Sequence, residues 1–234
     1  MAPQVHAYVG DELSLFAEAK NFHLRYVGLF GSDLRGKVLE VGAGMGTFTG
    51  YLRGCVESVT ACEPDPVLLE HLRTRFGSTV TAIAGGIADV PDAAGPFDAI
   101  VYVDVLEHIE DDVAEVGRAA ALLKPGGALL IGGPAHPYLF SPFDDAIGHC
   151  RRYNRTMVDQ ILVGNAGLVL ERFCYFDSAG MVLSLANRWV SKRSAPTRGQ
   201  IRFWDRVVLP FSRVVDPLLM YRLGKSFVAV LRAR

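Results

Sequence analysis

No stretch of this 234-residue chain approaches the roughly 18 consecutive apolar residues that a membrane-crossing helix needs. Cysteine is scarce. Cys55, Cys62, Cys150 and Cys174 form no Cys-x-x-Cys pair and have no histidine at zinc-finger spacing, which argues against a disulfide scaffold and a structural metal. No metal site is expected, and reduced cysteines fit a cytoplasmic setting. The first residues lack a basic stretch followed by an apolar run, so no signal peptide is expected. Net charge is nearly absent as well, at −1, but it is unevenly spread. From Leu185 to Arg234 there are 11 basic residues against two acids, Asp205 and Asp216, so the balance of the chain is acidic. Half of the residues are hydrophobic, enough for the core of one large domain.

The most informative stretch runs from Val38 to Thr49. An apolar, β-prone segment around Glu40 enters three glycines at alternate positions, Gly42, Gly44 and Gly46, and a helical pattern follows. Glycine there permits positive φ and leaves room for a ligand beside the backbone. A dinucleotide fingerprint, Gly-x-Gly-x-x-Gly, would need its third glycine where Thr47 stands, so a nicotinamide-dependent dehydrogenase is opposed by the spacing. What stands is Glu40-x-Gly42-x-Gly44-x-Gly46, which resembles the first motif of the class I S-adenosylmethionine-dependent methyltransferases of the small-molecule type. A plain tight connection is the alternative for the glycines taken alone.

Val56 to Cys62 reads as a second strand ending in Glu63-Pro64-Asp65. An acid about 20 residues past the first glycine can accept hydrogen bonds from both hydroxyls of a ribose, which makes Glu63 the candidate. An exposed acid at a helix start is the other reading, because Asp65 and Pro66 look like a cap and first turn. After a helix from Pro66 to Phe76 and a third strand, Thr79 to Ala84, the chain departs from the family pattern. Relatives usually carry an acid where Gly86 stands, so either the backbone at Gly86 and Ile87 meets adenine or Asp89 substitutes; a turn role for Asp89 is favoured.

The fourth strand, Phe97 to Val103, is a near-continuous apolar run, as in a parallel sheet covered on both faces. It ends in Asp104-Val105-Leu106-Glu107-His108, which is similar to the fourth-strand motif of small-molecule methyltransferases. It is not the Asn-Pro-Pro-Tyr or Asp-Pro-Pro-Tyr of amino-methylating nucleic-acid enzymes. The resemblance implies an S-adenosylmethionine site in which Glu40 orients the methionine end and Gly42 to Gly46 admit ribose and carboxylate. Ala43 and Phe48 would lie beside the glycines. Glu63 and Pro64 would hold the ribose side, Gly86 and Ile87 the adenine side, and Asp104 and Val105 the remaining wall. His108 belongs to the pocket as a structural histidine.

A helix over Asp111 to Leu123, then Leu123-Lys124-Pro125-Gly126-Gly127, leads to a fifth strand, Ala128 to Gly132. The long connection from Pro134 to Tyr153 is too aromatic for disorder and is the expected acceptor loop. It contains Gly148-His149-Cys150-Arg151-Arg152-Tyr153, which resembles a segment found in a subset of these enzymes. His149 is the expected base, because imidazole titrates near neutral pH. Asp145, Arg152 and Tyr153 complete the catalytic set. The alternative is that Asp144 or Asp145 pairs with Arg151 or Arg152 to hold the loop.

Leu168 to Tyr175 and Ser226 to Leu231 read as strands six and seven. Between them, apolar residues from Phe203 to Leu219 recur at steps of three and four, with Pro210 and Pro217 expected to divide them into shorter helices and Asp216-Pro217 to act as cap and first turn. Phe203, Trp204 and Phe211 are expected to line the acceptor pocket, and Arg198, Arg202 and Arg206 to meet an acceptor phosphate or carboxylate. A basic amphipathic surface on anionic lipid is the other account.

The expected fold is a single α/β domain, 1–234: a Rossmann-like, doubly wound, seven-stranded, mostly parallel sheet. It has an N-terminal helical segment, 1–35, carrying lid candidates Asn21, Phe22 and Tyr26, and a helical insertion, 176–225, over the substrate side. The expected function is methyl transfer from S-adenosylmethionine, with S-adenosylhomocysteine as product, to an oxygen or nitrogen of a small-molecule or lipid-linked acceptor. A non-methylating S-adenosylmethionine-binding role is the alternative. Nucleic acid is disfavoured, since the basic tail is as apolar as it is basic.

Overall fold

The computed structural model describes residues 12–190 and 196–234, so the first 11 residues of the expected N-terminal segment lie outside the described residues. Seven strands, β1 (Lys37–Val41), β2 (Ser58–Glu63), β3 (Thr81–Ala84), β4 (Phe97–Val103), β5 (Leu123–Pro134), β6 (Leu168–Phe176) and β7 (Ser226–Ala233), make one sheet. Their order is β3-β2-β1-β4-β5-β7-β6. The first five run parallel, while β7 is antiparallel to both β5 and β6. The expected doubly wound, mostly parallel sheet is therefore present. Strand order reverses between β1 and β4, and the carboxyl ends there open the crevice in which such sheets bind ligands.

The helices are α1 (Glu12–Phe16), α2 (Lys20–Phe30), α3 (Thr47–Leu52), α4 (Pro66–Phe76), α5 (Asp112–Ala121), α6 (Pro142–Ala146), α7 (Arg155–Val163), α8 (Ser178–Val190), α9 (Arg198–Phe203) and α10 (Leu209–Leu218). The two-residue period of each strand divides its side chains between two cores. Val38, Val101 and Val228 pack with α2, α3, α4 and the insertion, while Leu39, Ile100 and Phe227 pack with α5 and α7. With both faces covered, the central strands carry apolar residues at nearly every position.

Leu123-Lys124-Pro125-Gly126-Gly127 joins β5 instead of preceding it. Phe97 pairs with Leu123 and Ala99 with Ala128, so the extra residues bulge, with Gly126 at φ +73°. Lys124 Nζ reaches both oxygens of Asp98 at 2.8 Å, and the Lys37 N–H donates to the same carboxylate at 2.8 Å. The segment thus ties β1, β4 and β5 together at their entry ends.

The insertion corrects two sequence expectations. Pro210 does not break the helix. A π-helical turn, Trp204–Val208, joins α9 to α10, and Pro210 falls in the first turn of α10, where a missing N–H is tolerated. Asp216 does not cap its own helix either. It is fully buried and accepts from the N–H of Asp177 (3.1 Å) and from the N–H and hydroxyl of Ser178 (3.0 and 2.7 Å), so it caps α8 from across the fold. Asp177 in turn accepts from Trp204 Nε1 at 2.7 Å and Ser212 Oγ at 2.9 Å. Asp205 accepts the Phe22 N–H at 3.0 Å, and its backbone carbonyl accepts Asn21 Nδ2 at 2.9 Å. Two of the proposed lid residues are therefore fastened to the insertion.

Candidate active site

The turn between β1 and α3 places Gly42, Gly44 and Gly46 at φ +69°, +56° and +79°, a region costly for any residue with a Cβ. The three glycines differ in what surrounds them. A Cβ on Gly42 would come within 2.7 Å of Val105, and one on Gly46 within 2.5 Å of Phe76, so packing inside the protein demands both. A Cβ on Gly44 would meet only Leu13 at 3.9 Å, so this is the glycine that leaves space for a ligand. Ala43 and Phe48 are turned into the core, the latter edge-on to Tyr26.

Glu63, at the end of β2, bridges the turn. Its carboxylate accepts the Gly44 N–H at 2.7 Å and the Asp65 N–H at 2.9 Å, while Asp65 caps α4 and the neighbouring Pro64 is exposed. Burial raises the Glu63 pKa, opposed by those two backbone donors. Glu40 is buried against Thr49, whose hydroxyl donates to it at 2.6 Å. Burial pushes its carboxyl up to about 8, with the Thr49 hydrogen bond opposing.

At the end of β3, Ile87 lies in the core, and Asp89 accepts the Gly86 N–H at 2.9 Å. Asp89 is committed to its turn, since its own N–H also donates to the Gly86 carbonyl at 3.1 Å. At the end of β4, Asp104 sits at φ +55° and accepts the Tyr26 hydroxyl at 3.1 Å; burial raises its pKa to about 6. Val105 packs on Gly42.

Beyond β5 the long connection closes on itself, because the Tyr153 N–H donates to Pro134 and the His136 N–H to the Tyr153 carbonyl (3.0 and 2.7 Å). Its organising residue is Asp144. This carboxylate is fully buried and accepts from Arg152 Nε and Nη2 (2.8 and 2.9 Å), His149 Nδ1 (2.9 Å), and the N–H and hydroxyl of Ser141 (2.8 and 2.7 Å). Burial alone would raise its pKa, but the His149 and Arg152 contacts hold it well below the usual carboxylate range.

Two members of the expected catalytic set move. Asp145 is exposed, one residue round α6 from the position that points inward. Tyr153 is buried beside the Leu106 carbonyl (3.1 Å) and Asp112 (2.8 Å), so its phenol pins the loop to the sheet. Burial and Asp112 hold its pKa above the ordinary phenol value. Arg151 likewise pairs with Asp112 at 2.6 Å. Arg152 is bonded to Asp144 through both Nε and Nη2.

His149 turns towards the end of β4. With Nδ1 held by Asp144, its Nε2 lies 3.8 Å from Glu107 Oε1, and its ring stands edge-on to His108 at 4.6 Å. His108 Nδ1 is 3.2 Å from the Gly148 carbonyl, and burial, then His149, lowers its pKa to about 4. Glu107 carries no role in the motifs read from the sequence. It is buried, neither carboxyl oxygen has a hydrogen-bond partner among the described residues, and burial and then Asp104 raise its pKa well above the ordinary value. Among the described residues, Glu107, His108 and His149 are the one group that brings three ligand atoms within 4.8 Å of one another, so a divalent cation would find its donors here.

The architecture agrees with a comparison across known proteins. Residues 11–177 match the model of a methyltransferase domain family. The chain belongs to that family. Its fold and motifs make it a class I S-adenosylmethionine-dependent methyltransferase. A ubiquinone biosynthesis O-methyltransferase of Xanthomonas campestris pv. campestris is 32% identical over 99 residues, 41% of either chain. A probable S-adenosylmethionine-dependent methyltransferase of Mycolicibacterium smegmatis is 27% identical over 147 residues, 62% of this chain and 56% of that one. These matches span about half the length of the relatives. Among solved structures, the N-methyltransferase NodS of Bradyrhizobium japonicum, in complex with S-adenosylhomocysteine, aligns with a TM-score of 0.58 at 16% identity. The alignment covers 97% of this chain and 94% of that one, a likeness of fold.

Glu40 has a measurable consequence for this methyltransferase. If Glu40 is the group that meets the cationic methionine end of the cofactor, its carboxyl, which burial pushes up to about 8, must lose its proton first. Affinity for S-adenosylmethionine should therefore rise between pH 6 and pH 8, by up to about tenfold per unit, and level off above. Calorimetry giving a flat profile below pH 8 would show that Glu40 does not meet that charge.

Proposed function

We propose that this methyltransferase acts on an oxygen or nitrogen of a small-molecule or lipid-linked acceptor, with His149 as the base. The observation that carries the reading is the orientation of His149: Asp144 fixes Nδ1–H, and the other ring nitrogen faces the buried Glu107 at the carboxyl end of β4. This is the carboxylate–imidazole logic of general-base catalysis, with the carboxylate itself secured by Arg152. Bound S-adenosylmethionine supplies a methyl group made electrophilic by the adjacent sulfonium. The chain's own work is alignment and proton removal.

Glu63 holds the ribose hydroxyls, the space at Gly44 admits the ligand, the Gly86 and Ile87 backbone meets adenine, and Asp104 with Val105 forms the far wall. His149 Nε2 takes the acceptor proton while Asp144 steadies the imidazolium that forms. The O-methyltransferase name of the Xanthomonas relative favours oxygen among acceptors.

The test is transfer of label from methyl-labelled S-adenosylmethionine to a panel of phenols, hydroxylated lipids and amines. Labelled product with release of S-adenosylhomocysteine supports the reading. Tight S-adenosylhomocysteine binding with no transfer to any acceptor class would favour a non-methylating role. Turnover should survive a chelator; loss on chelation, restored by a divalent ion, would make His149 a metal ligand and not a base.

A further inference from the structure

The helical run over 198–218 is apolar on two sides, and the fold uses only one of them. Inward, Ile201, Trp204, Val208 and Leu209 join the core beneath the sheet. Outward, Phe203, Val207, Phe211, Val214 and Leu218 follow one another at steps of three and four residues, each between 53% and 78% exposed. Single exposed apolar side chains are ordinary, but a continuous row of five along one helical face marks a surface that something covers. Met220 and Leu223 extend the exposed apolar surface past the helix end.

Charge selects the occupant. The acids of this stretch, Asp205 and Asp216, are 3% and 0% exposed and are consumed inside, so the outer surface of the helix carries arginines without a carboxylate of its own. Arg202 and Arg198 pair with Glu18 from the neighbouring segment, whereas Arg206, Arg213 and Arg222 have no ion pair among the described residues. Arg206 also lines an open cleft of about 550 Å³ together with Lys20, Arg75 and Glu18, and that one acid is already paired with Arg198 and Arg202. We infer that this face docks on an anionic lipid bilayer, with Phe203, Val207, Phe211, Val214 and Leu218 in the interfacial layer and Arg206 and Arg213 against lipid phosphates. A second copy of the chain fits poorly, because a two-fold contact through this face would set arginine against arginine.

The proposal is independent of the acceptor and of methyl transfer, so binding alone reads it out. The full chain should co-sediment with vesicles of phosphatidylcholine and phosphatidylglycerol, should stay in solution with phosphatidylcholine alone, and should be released by salt. Phe211→Glu and the double variant Arg206→Glu/Arg213→Glu should each reduce vesicle binding by about tenfold or more while S-adenosylhomocysteine affinity is unchanged. The inference is overturned if the wild-type chain ignores anionic vesicles, or if the variants bind them as well as it does. A wild-type dimer that Phe211→Glu dissociates, without vesicle binding, would assign the face to a second copy.

Discussion

Replacing His149 with alanine is expected to lower turnover by on the order of 100-fold or more, with S-adenosylhomocysteine affinity nearly unchanged. The separation of effects follows from geometry. His149 is bonded to Asp144 on the loop after β5, whereas the glycine turn after β1 is bonded to Glu63 at the end of β2. Removing the imidazole takes away the proton acceptor and leaves Asp144 with Arg152 and Ser141, so the loop keeps most of its internal bonds. His149→Gln is the companion variant, since its amide can still donate to Asp144. If both variants turn over as the wild type does, His149 is not the base. If both lose cofactor affinity and stability together, its role is to shape the loop.

Asp144→Asn offers a further reading of the same experiment, because its amide oxygen can still accept the His149 Nδ1–H while the charge that neutralises Arg152 is gone and the NH2 replaces an oxygen that accepts from Arg152 and Ser141. Breaking a buried ion pair in this way typically costs about 3–5 kcal/mol of stability. The contrast between the two positions separates proton transfer from scaffolding.

The sheet was legible because parallel strands buried on both faces write themselves as apolar runs, and the glycine turn because positive φ is costly for other residues. Val38 to Val41, Phe97 to Val103 and Ser226 onward fell where the sequence placed them. Misreadings arose where a side chain's direction depends on helix phase or on a distant partner. Asp144 and Asp145 are adjacent, and chemistry alone cannot choose between them. The capping pattern of Ser141 followed three residues later by Asp144 could have chosen, since it requires Asp144 to turn back towards Ser141.

Glu107 gave no such signal. An acid two residues past Val105 looks like a solvated turn until the antiparallel return of β7 and the loop close over it, with Gly133 leaving room beside its carboxyl group. The insertion failed for a different reason. Three- and four-residue periodicity announces an apolar face but not which of two such faces is inside, so Phe203 and Phe211, expected to line a pocket, lie outside while Trp204 lies within. Arg198 and Arg202, expected to meet an acceptor anion, instead hold Glu18. Asp216 could not be read as the cap of α8 because its partners are 38 and 39 residues away in sequence.

Calorimetric titration of S-adenosylhomocysteine into the wild type and Glu63→Ala tests most directly whether the cofactor binds between β1 and β2. Among the described residues, Glu63 is the carboxylate that accepts from the glycine turn, through the Gly44 N–H, at the end of the strand beside β1. The hydrogen bonds from the ribose hydroxyls to this carboxylate should together be worth about 1.4–2.7 kcal/mol net of solvation, so their loss should weaken binding by about 10- to 100-fold. Thermal unfolding of the ligand-free variant controls for the two backbone bonds that also disappear. The predicted result is measurable wild-type affinity for S-adenosylhomocysteine, no comparable affinity for NADH, and a Glu63→Ala variant that is folded but binds at least tenfold more weakly. Unchanged affinity in the variant, or tighter binding of NADH than of S-adenosylhomocysteine by the wild type, would contradict it.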